Sequence, residues 1–309
     1  MLIANELILY TIVSILFFKI FNKYLSKFIV DIPIHRSSHV SEIPTSAGII
    51  FLLIHVMYVL LNKNYLLLLF VPIGVLGFLD DIFNIKQIYR LFFQSISVFL
   101  ISFLFFNFNF FSNSQLPNGI MFLIYLFMGL TLINFINFMD GMDGLVSSNM
   151  FLILLNYSLT NNFDLIAIPI VLLVFIFYNW YPAKIFMGDS GSTFLGLILF
   201  YITFSKNDFN SSLILILTAS PLLMDSFTCI LRRLKNNENI FSPHKKHLYQ
   251  RLHQKGMKHS KVSIIYALCT LILLIFSHTN NLIIMSSLTF FVFVVGIYLE
   301  KNHAMSFNS

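Results

Sequence analysis

Acidic, amide, glycine and histidine residues recur in this chain at spacings suited to work on phosphate groups. Asp80 and Asp81 are adjacent. Two neighbouring carboxylates repel, so one resists ionisation unless a cation lies close. The pair suits a bound Mg2+, a general base, or a helix end that faces water. The last of these fits poorly at a helix C-terminus, where negative charge opposes the macrodipole. Asn134, Asn137, Asp140 and Asp143 recur every three residues. They would line one stripe if the preceding helix continued through them. Gly141 and Gly144 follow the two Asp residues as turn formers would, which argues instead for helix termination.

A second group runs from Asn179 through Pro182, Phe186, Gly188, Asp189, Ser190 and Gly191 to Ser192, where an apolar run begins. Glycines let the backbone approach a ligand, and free N–H groups at a helix start favour phosphate. Asp189 offers Mg2+ a hard oxygen ligand. Ser190 or Ser192 would serve equally as plain N-caps. Phe186 could stack on a base, although a lone Phe among 37 is more often packing or lipid contact. His244 and His247 are three apart, and with Lys245, Lys246 and Arg251 they make an anion site. Zinc is the rival for two histidines, but no third or fourth ligand stands at suitable spacing. A lipid-headgroup patch is the non-catalytic alternative.

The elements that position these residues follow from composition. The chain has 309 residues, 58% hydrophobic and 10% charged. Soluble domains carry about 25% charged residues, so lipid is the natural solvent and helices the default. The expected fold class is all-α: a polytopic membrane protein of about 10–11 transmembrane helices, read as one domain over residues 1–309. The apolar segments are Leu2–Phe21, Ser46–Leu61, Tyr65–Leu79, Leu91–Phe106, Gly119–Ile136, Leu145–Leu159, Leu165–Tyr178, Ser192–Phe204, Leu213–Leu231, Val262–Ser277 and Leu282–Leu299. No basic residue precedes the first run, so it does not resemble a cleavable signal. Cys229 and Cys269 both lie in apolar runs and read as small buried residues.

Eleven spans with the N-terminus outside and the C-terminus cytoplasmic put all but Lys63 and Lys206 of the 19 Lys and Arg residues in inside loops. This satisfies the positive-inside rule and makes topology, not nucleic acid, the reason for the net charge of +6. Every group described above falls in an inside loop, as does a first loop carrying Asp31, His35, Arg36 and His39. Carboxylates for Mg2+, a phosphate-cradling turn and cations at one membrane face suit a reaction between a phosphorylated lipid and a soluble pyrophosphate donor. A transporter would place ionisable residues near the bilayer midplane. Asp225 is the one candidate for such a position, about two turns before Arg232 and Arg233.

In this order, the blocks from Asp31 to Leu252 resemble the polyprenyl-phosphate N-acetylhexosamine-1-phosphate transferases. The resemblance implies transfer of a sugar 1-phosphate from a UDP-N-acetylhexosamine to undecaprenyl phosphate, with release of UMP, at the cytoplasmic face of a bacterial inner membrane. It implies Asp80 and Asp81 as the catalytic acidic pair, of which the first is often proposed as the base, and Asp189 as the Mg2+ ligand, with Mn2+ the alternative ion. It implies Asn137, Asp140 and Asp143 on the nucleotide side, Phe186 against uracil, and His247 as a further catalytic residue near the donor sugar and phosphates. Asn179, His244 and Arg251 join the ligand-binding set. The implied partners are undecaprenyl phosphate, the donor, the lipid bilayer and, as an option, a second copy of the chain; nucleic acid is not among them. Pro44, Thr45, Ser46, Ala47 and Gly48 stand where the family often has an Arg and several glycines, and Asn84 stands where many members carry a charge. The run His247, Leu248, Tyr249, Gln250 and Arg251 is more like members that start O-antigen or other surface polysaccharides than the peptidoglycan enzymes.

Overall fold

The computed structural model describes residues 2–25, 29–31, 42–105, 117–161, 163–205, 208–240, 242 and 244–307. His35, Arg36, His39, Lys27 and Lys206 lie outside these. Backbone groups in apolar surroundings must bond within their own segment, and all eleven apolar segments, where described, are mainly helical. They form α1 (Leu2–Ile20), α2 (Gly48–Asn62), α3 (Val71–Phe83, entered through a 3-10 turn at Tyr65–Phe70), α4 (Gln87–Phe105), α5 (Asn118–Met139), α6 (Leu145–Thr160), α7 (Ala167–Asn179), α8 (Gly188–Phe204), α9 (Phe209–Thr218), α10 (Ser220–Lys235), α12 (His259–Ser277) and α13 (Leu282–His303). A short helix, α11 (Leu248–Gln254), precedes α12. Six helical spans are long and apolar enough to cross a membrane, or seven if α9 and α10 count as one. The protein is therefore an all-α, multi-pass membrane protein. A two-residue antiparallel pairing of Val30–Asp31 with Ile43–Pro44 is the one sheet among the described residues.

The expected span Leu213–Leu231 is broken: α9 and α10 meet at a 76° bend. The cause is Pro221 in the first turn of α10, whose ring cannot follow Leu217 in a continuous helix. Of the two readings of Asn134, Asn137, Asp140 and Asp143, helix termination is the one found. Helix α5 ends at Met139, and Gly144 adopts φ 73° ahead of α6. Only the two Asn residues therefore share the helix, and the turn-forming glycines decided the outcome.

Helix α8 is the axis of the bundle. Every residue from Ser190 to Phe204 is buried, and the helix packs mainly on α3 and α5. The outer faces of α4, α12 and α13 expose Phe92, Phe103, Leu268, Ile275, Ile283 and Phe290, an apolar jacket that suits lipid. The two ends of the bundle differ in character. At one end Tyr58 near the end of α2 donates to Asp164 Oδ1 at 3.0 Å. At the other end meet the C-termini of α3 and α5, the N-terminus of α8, the start of α12 and α11. All the inside loops that sequence reading grouped together, where described, converge there.

Candidate active site

Helix α3 delivers Asp80 and Asp81 to this second end. Successive residues lie about 100° apart around a helix, and the two carboxylates accordingly take different partners. Asp81 accepts from the backbone N–H of Asp189 at 2.8 Å and of Ser190 at 3.3 Å. It therefore occupies the positive N-terminus of α8. Two of the N–H groups expected to be free for phosphate in the Gly188–Ser192 turn, those of Asp189 and Ser190, are thus in use, filled by a carboxylate of the chain itself. Asp80 points elsewhere: its Oδ1 accepts from Ile85 N at 2.6 Å and its Oδ2 pairs with Arg90. Arg90 Nη1 also reaches Asp189 Oδ2 at 2.8 Å. Arg90, which sequence reading counted only toward topology, is the cation that joins the acidic pair to Asp189. A signal existed: the short connection after α3 turns α4 back, which returns Arg90 to the level of Asp80.

Two glycines make the approach possible. A Cβ at Gly77 would strike the Asp189 carbonyl and lie 2.6 Å from Ser190 N, so α3 touches the first turn of α8 backbone to side-chain-free backbone. Gly188 has φ +70°, and a Cβ there would strike Asp81 Oδ2. The segment from Pro44 to Gly48 braces this turn: Phe186 N donates to Pro44 O at 2.7 Å, and Gly48 N donates to Met187 O at 2.9 Å. Phe186 is half-buried beside it. A small cavity opens here, lined by Asp80, Arg90, Gln94, Asp189 and Thr193.

Asp140, just past the end of α5, completes the group. Burial first, and then the charges of Asp189 and Asp81, push its carboxyl well above the usual carboxylate range. Asp80, Asp81 and Asp189 thus share, among the described residues, one paired cation, Arg90, and Asp140 adds a fourth carboxyl group near Asp189 and Asp81. A surplus of hard oxygen donors over cations fits a divalent ion of the Mg2+ type, whose charge would favour the ionised carboxylates. Asp189 would hold it.

The comparisons with known proteins bear on this core. Residues 63–206 match the model of glycosyl transferase family 4. That stretch contains Asp80, Asp81, Arg90, Asn137, Asp140, Asp143, Asn179, Phe186 and Asp189. This stretch, a little under half of the chain, resembles that family. It is 34% identical over 137 residues to the probable undecaprenyl-phosphate N-acetylglucosaminyl 1-phosphate transferase of Bacillus subtilis, covering 41% of this chain and 36% of that protein. It is 34% identical over 106 residues to the decaprenyl-phosphate N-acetylglucosaminephosphotransferase of Mycobacterium leprae, covering 29% of this chain and 27% of that one. The match to the Mycobacterium tuberculosis protein of the same name is 35% over 106 residues, 29% and 26% of the two chains. The chain thus spans about a third or less of the length of these relatives.

Around the family core the remaining candidates divide. Asn137 Oδ1 accepts from Ser192 at 2.6 Å, tying α5 to α8 beside the acidic cluster. Asn134 instead donates to Gln94 Oε1 at 3.0 Å. Asn179 is buried and holds the chain around it: its Oδ1 accepts from Gly144 N at 3.0 Å and Ser147 at 2.8 Å, and its amide donates to Ile185 O at 3.1 Å. Its polar atoms are committed to scaffold, not aimed at a ligand. Asp143 is separated from Asp140 by the bend; it accepts from Ala183 N at 3.0 Å and faces His259 Nδ1 at 3.1 Å. His259 was invisible in the sequence, because it lies more than a hundred residues from its partner at the start of an apolar helix.

The last loop returns to the end of α5, where Tyr249 Oη donates to Phe138 O at 3.1 Å and the His247 ring lies 6.2 Å from that of Phe138. Asp225 anchors it, accepting from Leu248 N at 2.7 Å, Tyr249 N at 3.1 Å and Tyr266 at 2.7 Å. His247 is buried beside it. Burial alone would lower its imidazole, but Asp225, and then Cys229, outweigh that and raise it to about 9. Arg251 departs from the expected exposed anion site. It is 4% exposed and donates to Lys246 O, Met305 O and Glu300, so its donors hold α11 against α13. Lys246 likewise pairs with Glu238 at 2.7 Å. His244 is pushed down to about 4 by burial and by the His247 and Arg233 charges.

Proposed function

We propose that this protein transfers an N-acetylhexosamine 1-phosphate, GlcNAc or a deoxy-amino relative, from a UDP-sugar to undecaprenyl phosphate, releasing UMP. The observation that carries the proposal is the convergence of Asp80, Asp81, Asp140, Asp189 and Arg90 at one end of the bundle, within the family-matched stretch. The named relatives act, by their names, on undecaprenyl or decaprenyl phosphate and on N-acetylglucosamine, so UDP-GlcNAc is the first donor to try. The Tyr249 and Gln250 form of the last loop supports a role in starting O-antigen or another surface polysaccharide.

In this reading an oxygen of the lipid phosphate attacks the sugar-bound phosphorus of the donor. The bond from that phosphorus to the bridging oxygen breaks, and UMP departs with the electron pair. Phosphoryl transfer needs positioning and charge neutralisation more than covalent help. Asp80, on the cavity side of α3, takes the proton of the lipid phosphate. Asp81 holds the first turn of α8 so that Asp189 stays in place. Arg90 steadies Asp80 and Asp189 and offers a guanidinium to a phosphate oxygen. When bound at Asp189, Mg2+ would neutralise charge developing on the departing phosphate. Asn137 and Phe186 border the nucleotide side. His247 positions the last loop beside them.

A transporter reading draws least support from Asp225, its one candidate residue, because that carboxylate is bound to α11 and Tyr266. The test is an assay of the purified protein with undecaprenyl phosphate, Mg2+ and a panel of UDP-N-acetylhexosamines. UMP release that requires the lipid phosphate supports the proposal. Folded protein that turns over no donor refutes it.

A further inference from the structure

Two histidines alone give a metal too few ligands, but the fold adds a third. Cys229, on α10, lies against His244 and His247 of the last loop, and one ligand atom from each of the three lies within 4.8 Å of the other two. Cys229 and His247 are each 3% exposed, and His244 is half-buried. We propose that Cys229, His244 and His247 form a binding site for a thiolate- and imidazole-preferring divalent ion of the zinc class, which fastens the last loop to α10.

Three observations carry this. The donor set is one sulfur and two imidazoles, which suits zinc-class ions and not Mg2+. The site is therefore chemically distinct from the carboxylate cluster at Asp189. His247 Nδ1 is buried with no hydrogen bond, yet it lies 3.6 Å from Asp225 Oδ1. A carboxylate behind one ring nitrogen is the usual support for an imidazole that ligates through the other, because it fixes the proton away from the metal. Finally, the loop is already folded onto α10 by other contacts. Arg233, 1% exposed, donates to the carbonyls of Asn239, Ile240 and Ser242. The ligands are thus brought together before an ion arrives, and little ordering entropy remains to be lost on binding. Loading has one visible cost. His244 Nδ1 accepts from Lys246 N at 3.2 Å, and that long contact must be given up when the ring ligates through Nε2 and carries its proton on Nδ1. Three protein ligands leave a fourth position for water.

The site does not depend on the transferase proposal, and its test does not read activity. Tag-free protein in detergent is stripped with a chelator and titrated with Co2+. The expected result is one equivalent bound, with visible d–d absorption and a near-ultraviolet thiolate-to-cobalt band, both lost when Zn2+ is added and unaffected by Mg2+. Cys229→Ser should remove the thiolate band and weaken Co2+ binding by more than about tenfold, the lower end of what losing even an outer partner costs. His244→Asn should weaken binding similarly while Cys229 is intact, and serves alone if Cys229→Ser does not fold. Absence of a thiolate band in the unaltered protein, or a band that survives Cys229→Ser, overturns the proposal.

Discussion

Asp80 and Asp81 are neighbours in sequence with separate tasks in the structure. Asp81 caps α8 through two N–H groups, so Asp81→Ala should lower stability by about 1–2 kcal/mol, as loss of a helix cap does, and reduce activity with it. Asp80→Asn keeps the shape and should shift thermal unfolding little, yet lower turnover on the order of 100-fold or more, the usual cost of a missing general base. If the two variants show the same balance of stability and activity loss, the division of roles is wrong. Arg90→Met leaves Asp80, 7% exposed, without its cation. The expected loss is about 2 kcal/mol, below that of a fully buried pair because Arg90 is itself partly exposed; thermal unfolding of the purified variant reads it. Residue types announced the acidic pair, Asp189 and the last-loop histidines. Their partners were not legible. Which carboxylate meets the α8 N-terminus depends on helix phase, Arg90 gains its second partner, Asp189, from across the fold, and Cys229 and His259 gain their meaning only from neighbours distant in sequence.

Among elements, the long apolar helices were legible because lipid leaves the backbone no alternative to internal hydrogen bonding. What failed was local. Whether Asp140 and Asp143 continued the helix was open until Gly141 and Gly144 ended it, the α9 and α10 bend follows from one Pro, and α11 is too short for an apolar run to betray it. The contact that matters most is α3 on α8, set by Gly77. Gly77→Val should force the two helices apart, costing about 1–3 kcal/mol as overpacking does and moving Asp80 away from Asp189. Reduced turnover with a lowered unfolding temperature is the expected outcome; an unchanged protein would mean that the close approach does not position the site.

For the whole molecule, the convergence of the acidic and histidine-bearing loops on one end of the bundle agrees with the charge pattern that placed them on one side. Topology gives that end a direction. A cysteine introduced at Asn62 should react with an impermeant maleimide in intact cells, and one at Lys184 only after permeabilisation; the reverse pattern would put the carboxylate end outside. The central claim is that the chemistry occurs at this end, on Asp189, and not elsewhere in the bundle. The direct measurement is lipid-phosphate-dependent UMP release by Asp189→Asn and by Asp164→Asn, which alters the opposite end, where Tyr58 and Leu165 N contact the carboxylate. The account predicts loss on the order of 100-fold or more in Asp189→Asn and near-normal turnover in Asp164→Asn. Full activity in folded Asp189→Asn would contradict it.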